Sequence, residues 1–258
     1  MNWQFVAWQT SDGAGYLTLK RPPLNILNIA MLRELHSALD ALSAAAQETT
    51  LRVLVLQAES TLRVFSAGVD VADHTPDKVG EMIPLFDGVC AALAGFPAPT
   101  LAAVHGHALG GGCELALCCD LVVAAESANF GQPEIRLATI APVAALRLPG
   151  LVGYRRAAEW LFTGETLGAV EAARAGLVNR AVPAEEFAAT VEQYVNQLRG
   201  LSAPALRVCK QALRLGADGW SNLPALERLY LDDLMAAEDA REGVQAFVEK
   251  RTPVWKHR

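Results

Sequence analysis

The chain has 258 residues, 52% apolar and 19% charged, which excludes a disordered protein and supplies apolar surface for one sizeable core, or a core with an appended helical part. A net charge of −6 and an isoelectric point near 5.4 argue against nucleic acid or an anionic membrane as the main partner. No apolar run has the length of a membrane span, and the start, MNWQFVAWQTSDG, lacks the basic and apolar parts of a signal peptide.

Residues 5–10 and 15–19 read as strands, and Ser11-Asp12-Gly13-Ala14 between them has turn chemistry, so a hairpin opens the chain. Arg21-Pro22-Pro23-Leu24-Asn25 is a fixed, extended loop, because proline excludes helix and central strand. Met31, Leu32, Leu35, Leu39 and Leu42 recur at helical spacing. Residues 51–57, LRVLVLQ, read as a strand buried on both faces. A glycine-containing turn at 65–70, a helix at 79–93 closed by Pro97 and Pro99, a strand at 100–104, a helix from the glycine cluster and a strand at 121–125 follow. This alternation is the signature of right-handed crossovers on a parallel sheet. From about residue 141 the pattern is helical, at 144–151, 155–161, 169–175, 184–198, 203–215 and 223–237, with short strand candidates only at Leu177-Val178 and Ala181-Val182. The cysteines, Cys90, Cys113, Cys118, Cys119 and Cys209, form no Cys-x-x-Cys pair, and four sit in helix-like apolar context. Reduced, mostly buried thiols in a cytoplasmic protein are the economical reading.

The chemistry concentrates in residues 101–136, LAAVHGHALGGGCELALCCDLVVAAESANFGQPEIR. Gly110, Gly111 and Gly112 stand at a strand-to-helix junction, where glycine admits close approach to a backbone whose first helical N–H groups are unpaired. An oxygen gaining negative charge would be stabilised there. The alternative is that the glycines only permit tight helix–sheet packing. Neither a dinucleotide fingerprint nor a P-loop fits, because the G-x-G-x-x-G spacing and the following lysine are missing. Glu114 lies three residues after Gly111, on the same helix face and among apolar neighbours, where an unpaired charge is costly. A helix-dipole partner or a structural ion pair is its alternative role. Glu134 follows Pro133 in a rigid loop, and a solvated loop acid is its alternative. Two carboxylates in unlike environments are a common way to divide acid and base work.

Three runs carry a resemblance. Phe65-Ser66-Ala67-Gly68-Val69-Asp70 is similar to an F-x-A-G-x-D loop, the run from Ala108 through Gly110-Gly111-Gly112-Cys113-Glu114 to Ala116 to an A-x-G-G-G-x-E-L-A motif, and Phe130-Gly131-Gln132-Pro133-Glu134 to an F-x-x-P-E segment. Together they resemble the crotonase superfamily, the enoyl-CoA hydratase/isomerase family. The resemblance covers nearly the whole chain. It implies an α/β fold of stacked ββα turns over residues 1–195, with a helical trimerisation region at 196–258, assembled as a trimer or a dimer of trimers. It implies that the N–H groups of Val69 and Gly111 form an oxyanion hole for an acyl-CoA thioester. Glu114 would hold and deprotonate water, and Glu134 would deliver a proton to the α-carbon. The backbone around Ala67, Asp70, Val71 and Ala72 would line the CoA adenine site, with Leu24 and Ile26 nearby. CoA is then part of the substrate, and no metal and no separate cofactor are expected.

Both acids together favour hydration of a 2-enoyl thioester. A double-bond isomerase on the same scaffold and a non-catalytic acyl-CoA-binding subunit are the competing readings, and the burial of two acids speaks against the second. One departure is informative. Where family hydratases usually carry a glycine-rich run after the second acid, this chain has Ala141-Pro142-Val143-Ala144-Ala145, so the acyl pocket wall should be stiffer and differently shaped. This run, with residues 65–71 and 74–79, resembles the cyclohexa-1,5-dienecarbonyl-CoA hydratase subgroup, which implies a cyclic dienoyl thioester as one candidate substrate. His105 and His107 flank Gly106 without a third ligand at metal-site spacing. His74 is a candidate for the substrate entrance, and Asp120 a structural acid.

Overall fold

The structure is a computed structural model describing residues 3–48, 51–217 and 219–258. Strands β1 (Val6–Ser11) and β2 (Ala14–Leu19) pair antiparallel across a tight turn. Asp12 and Gly13 both hold positive φ, 47° and 75°, the geometry a two-residue hairpin requires. Then come α1 (Ile29–Glu48), β3 (Val53–Ala58), β4 (Val64–Ser66), α2 (Val79–Ala94), β5 (Thr100–Val104), β6 (His107–Leu109), α3 (Gly111–Leu117), β7 (Leu121–Ala125) and β8 (Asn129–Gly131). The architecture is the stacked ββα spiral: successive turns add one strand to a six-stranded sheet, order β1-β2-β3-β5-β7-β10, and one to a four-stranded sheet, order β4-β6-β8-β9, where β9 is Thr166–Gly168 and β10 is Arg180–Val182. The pairings from β2 through β3, β5 and β7 to β10 are parallel, as are β4–β6 and β6–β8.

The large sheet is covered on both faces, which explains its unbroken apolar strands. Leu54, Leu56, Ala102 and Val104 face the main core with α1 and α2. Val53, Val55, Leu101 and Ala103 face a second cluster built on Val191 and Val195 of α7 (Ala184–Arg199). Residue-by-residue alternation along one strand thus serves two cores.

The remaining elements are α4 (Pro142–Val152), α5 (Tyr154–Thr163), β9 (Thr166–Gly168), α6 (Ala169–Arg174), β10 (Arg180–Val182), α8 (Ala203–Gly216), α9 (Leu223–Arg228) and α10 (Glu238–Glu249). Two expectations need correction. Leu177-Val178 is not a strand: Gly176, at φ 88°, turns the chain out of α6, and the Leu177 N–H returns to Ala172 O. The continuous helix expected over 223–237 is α9 followed by a π-helical turn, Leu229–Leu234; its wider winding breaks the 3.6-residue repeat. The sequence reading also missed the small sheet. Its strands are three residues long, too short to display alternation.

The C-terminal helices are fastened to the core by a buried lysine. Lys210 of α8 is 5% exposed. Its Nζ lies 2.7 Å from Asp120 Oδ2 and donates to Ala98 O at 3.1 Å. The same Asp120 oxygen accepts from the Thr100 N–H and hydroxyl, at 2.7 and 2.9 Å. Asp120 is therefore the structural acid expected, joining β5, the end of α3 and α8. Replacing Lys210 with alanine strips the carboxylate of its cation and leaves Ala98 O unpaired. The expected loss is about 2 kcal/mol of stability, read as a lowered urea midpoint with an unchanged m-value.

Candidate active site

β6 delivers the chain to Gly110, which turns it into α3. Gly110 has φ 51° and ψ −128°, and a Cβ there would lie 2.5 Å from Glu134 Oε1. Glycine is required twice over, for the backbone conformation and for the approach of the acid. The loop after β4 is drawn against the same junction: a Cβ on Gly68 would lie 2.9 Å from Leu109 O and 3.4 Å from the Gly111 nitrogen. Val69 and Gly111 line one cavity, and neither N–H has a hydrogen-bond partner among the described residues.

That loop is held by residues the sequence reading passed over. Asn25, fully buried at φ 47°, donates from Nδ2 to Phe65 O at 2.9 Å and accepts at its carbonyl from the Ser66 hydroxyl at 2.7 Å. Ser66 Oγ accepts from the Gly68 N–H at 3.2 Å. The Leu27 N–H donates to Gly68 O, and the Asp70 N–H to Leu27 O, at 2.8 and 3.1 Å. These bonds use up the other amides of the loop and leave Val69 N–H as a fixed, unpaired donor. A polar residue after two prolines reads as turn chemistry, so Asn25 gave no sign of this role.

Glu114 is 3% exposed. Its Oε1 accepts from the Ala144 N–H at 2.9 Å, in the first turn of α4, which Pro142 opens. Burial raises its pKa to about 7, opposed by the Ala144 and Val143 amides and reinforced by the charges of Glu134 and Asp87. Desolvation thus outweighs the favourable helix terminus. The departure at 141–145 has a structural consequence here: proline takes a position where a helix needs no N–H, and the next amides reach the acid. Glu134 sits in a 3-10 turn, Pro133–Leu137, followed by Ala138 in the left-handed region. The Thr139 N–H and hydroxyl close the loop onto Glu134 O at 3.1 and 3.0 Å. Glu134 Oε2 is buried with no partner among the described residues. Burial raises its pKa, while its own backbone N–H and the charge of His74 pull it down. Both carboxyls are thus pushed up by burial, and the Glu134 charge adds to the rise at Glu114, so the two titrate as a coupled pair.

The cavity encloses about 620 Å³ including its open mouth, and Glu114, Glu134, Val69, Gly111, Ala67 and Val71 all line it. His74 also faces it, its Nδ1 donating to Asp70 O at 3.0 Å. Other lining residues went unread: Met82, Ile83 and Phe86 of α2, with Leu137, Thr139 and Ile140. The apolar stripe of α2 announces a buried face but not which turn of it meets a cavity. Leu24 and Ile26 line a neighbouring depression beside Lys20 and Arg21, joined to the cavity loop by the Ala67 N–H donating to Leu24 O at 3.0 Å. Asp70 and Ala72 form the turn between them, the Asp70 carboxylate accepting from the Ala72 N–H at 3.1 Å. Among the described residues no cluster of three or more His, Cys, Asp or Glu is placed to hold a metal. His105 Nε2 meets Leu62 O, while His107 Nδ1 meets Asn129.

The sequence profile of the enoyl-CoA hydratase/isomerase family matches residues 9–258. A cyclohexa-1,5-dienecarbonyl-CoA hydratase from Thauera aromatica is 38% identical over 97% of this chain and 96% of its own. A 2,3-dehydroadipyl-CoA hydratase from Escherichia coli is also 38% identical, over 94% of each chain. The crystal structure of an enoyl-CoA hydratase subunit from Geobacillus kaustophilus superimposes with a TM-score of 0.90 at 34% identity, covering 99% of both chains. With the two acids, the unpaired amide pair and the spiral in place, the chain belongs to the enoyl-CoA hydratase/isomerase family.

Proposed function

We propose that this protein is an enoyl-CoA hydratase that adds water across the 2,3 double bond of an acyl-CoA thioester. The observation that carries the proposal is a buried carboxyl, Glu114, and a half-buried one, Glu134, facing one cavity beside two amides unpaired among the described residues. The thioester oxygen gains negative charge as water attacks C3, and the Val69 and Gly111 N–H groups are the donors for it. Hydration needs one carboxylate to take a proton from water and one carboxylic acid to protonate C2. The pair supplies that combination between its two titrations, when it holds one proton. The family role assigns the base to Glu114 and the acid to Glu134. Ala67, Asp70, Val71 and Ala72, with Leu24 and Ile26 adjoining, are the CoA adenine contacts in this reading. Relatives named for a cyclic dienoyl thioester and for a dehydroadipyl thioester are equally identical to the chain, so the acyl group is a question for a substrate panel. We further propose a trimer or dimer of trimers in the cytoplasm. Leu146, Phe162, Leu213 and Phe247, each at least 72% exposed, support the assembly, and four buried free thiols support the compartment.

With short linear, long linear and cyclic dienoyl thioesters in ¹⁸O-labelled water, the label should enter the product as the conjugated absorbance falls. Absorbance change without label identifies an isomerase instead. Glu114→Gln and Glu134→Gln should each lower kcat about 10²–10⁴-fold while thioester binding, measured by calorimetry, persists. The rate kcat/KM should be bell-shaped in pH, falling above a limb near pH 7 as the shared proton leaves Glu114. Stability carries the same signature. The folded-state pKa of Glu114 is raised from 4.5 to about 7, so the burial penalty is absent below the lower value and complete above the higher one. Relative to wild type, Glu114→Gln should gain up to about 3 kcal/mol more at pH 8 than at pH 4.5, measured by denaturant titration.

A further inference from the structure

Pro142 lines the cavity that Glu114 faces. Pro142 also lines a second cavity, of about 590 Å³ including its mouth, bounded by Asp87, Cys90, Ala91 and Ala94 of α2, Cys118 after α3, and Val143, Leu146 and Arg147 of α4. The two cavities share Pro142 as a common wall, and consecutive residues of α2 line them. Phe86 walls the first, Asp87 the second. One helical turn, about 6 Å, separates Phe86 from Cys90. The floor and walls are mostly apolar and small, the composition of a slot for a hydrocarbon chain.

Two polar groups interrupt it. Asp87 Oδ1 is shielded from solvent and has no hydrogen-bond partner among the described residues. A buried acceptor left unpaired costs about 1–3 kcal/mol, and burial raises the Asp87 pKa accordingly. Arg147 uses its Nε on Leu117 O at 3.2 Å, and no salt bridge joins it to Asp87 or to any other acid among the described residues. Asp87 thus offers an unpaired acceptor, and Arg147 a half-buried guanidinium, to one mostly apolar slot.

We propose that this slot receives the distal part of the acyl chain and that Asp87 selects chains bearing a hydroxyl group there, the hydroxyl donating to Asp87 and accepting from Arg147. This rests on the acyl-CoA reading of the catalytic cavity and extends it to the substrate's tail. A site built to pair a polar group rejects the analogue lacking it, because its own buried groups are then left unpaired. Asp87 is a specificity-determining residue in this account and takes no part in the proton transfers.

The test compares kcat/KM for ω-hydroxy and plain 2-hexenoyl- and 2-octenoyl-CoA, as a ratio within each protein, so that any change Asp87 imposes on Glu114 cancels. Crotonyl-CoA, too short for the slot, reports the chemistry alone. Wild type should prefer one hydroxylated chain at least 10-fold, and Asp87→Leu should abolish or invert that ratio. An unchanged ratio in Asp87→Leu overturns the proposal, as does a wild-type preference for plain chains. A preference for ω-carboxyl chains that Arg147→Leu removes and Asp87→Leu keeps also overturns the assignment to Asp87. Ala91→Phe, which fills the slot, should lower the octenoyl-to-crotonyl ratio at constant native mass. A changed mass with an unchanged ratio assigns the slot to a second copy of the chain and rejects the proposal. Failure of wild type on crotonyl-CoA and all longer thioesters would instead strike the hydratase reading itself.

Discussion

A carboxyl group, Glu114, is kept out of water, and much of the site follows from that constraint. Glu114 has apolar neighbours along α3 and two amides of the next helix as its polar company. The amides alone would lower its pKa, but burial wins and raises it to about 7. A second carboxyl, Glu134, faces the same cavity, and repulsion between the two makes simultaneous ionisation costly. The outcome is a Glu114 carboxyl whose ionisation is pushed up toward neutrality, at a standing cost in stability which the surrounding core must absorb.

The architecture delivers these groups through short connections. Each turn of the spiral passes from the large sheet to the small one and then into a helix. The loops leaving the small sheet are therefore stacked: the one after β4 brings Val69, the one after β6 brings Gly111, and the one after β8 brings Glu134. Parallel pairing of β4, β6 and β8 sets their spacing. Glycine at 68, 110 and 111 lets the loops approach within contact distances that a Cβ would forbid. Asn25 and Ser66 then occupy hydrogen-bonding groups of the first loop, and the N–H groups of Val69 and Gly111 stay unpaired, among the described residues, at positions that line the cavity.

Much of this was legible in the sequence, for identifiable reasons. The hairpin, the long valine- and leucine-rich strands and α1, α2 and α7 repeat their periods enough times to be read. Glu114 was legible because an acid is costly among apolar neighbours, and the glycine cluster and Glu134 through the motif runs at 108–116 and 130–134 that they share with a known family. Three-residue strands carry no period, which hid the small sheet even though it positions the site. Asn25 was hidden because a polar residue after two prolines is ordinary in a turn, and Met82, Ile83 and Phe86 because an apolar stripe does not distinguish core from cavity. Pro142 read as a stiff wall; it is also the opening residue of the helix that meets Glu114.

The measurement that bears most directly on this account is a pH titration of the Glu114 carboxyl by ¹³C NMR on protein labelled at glutamate Cδ, assigned through Glu114→Gln. The account predicts an apparent pKa near 7 in wild type, moved down in Glu134→Gln, where the neighbouring charge is gone. A Glu114 carboxyl titrating near 4.5 in wild type, indifferent to the state of Glu134, would contradict the shared-proton pair and with it the proposed division of acid and base work.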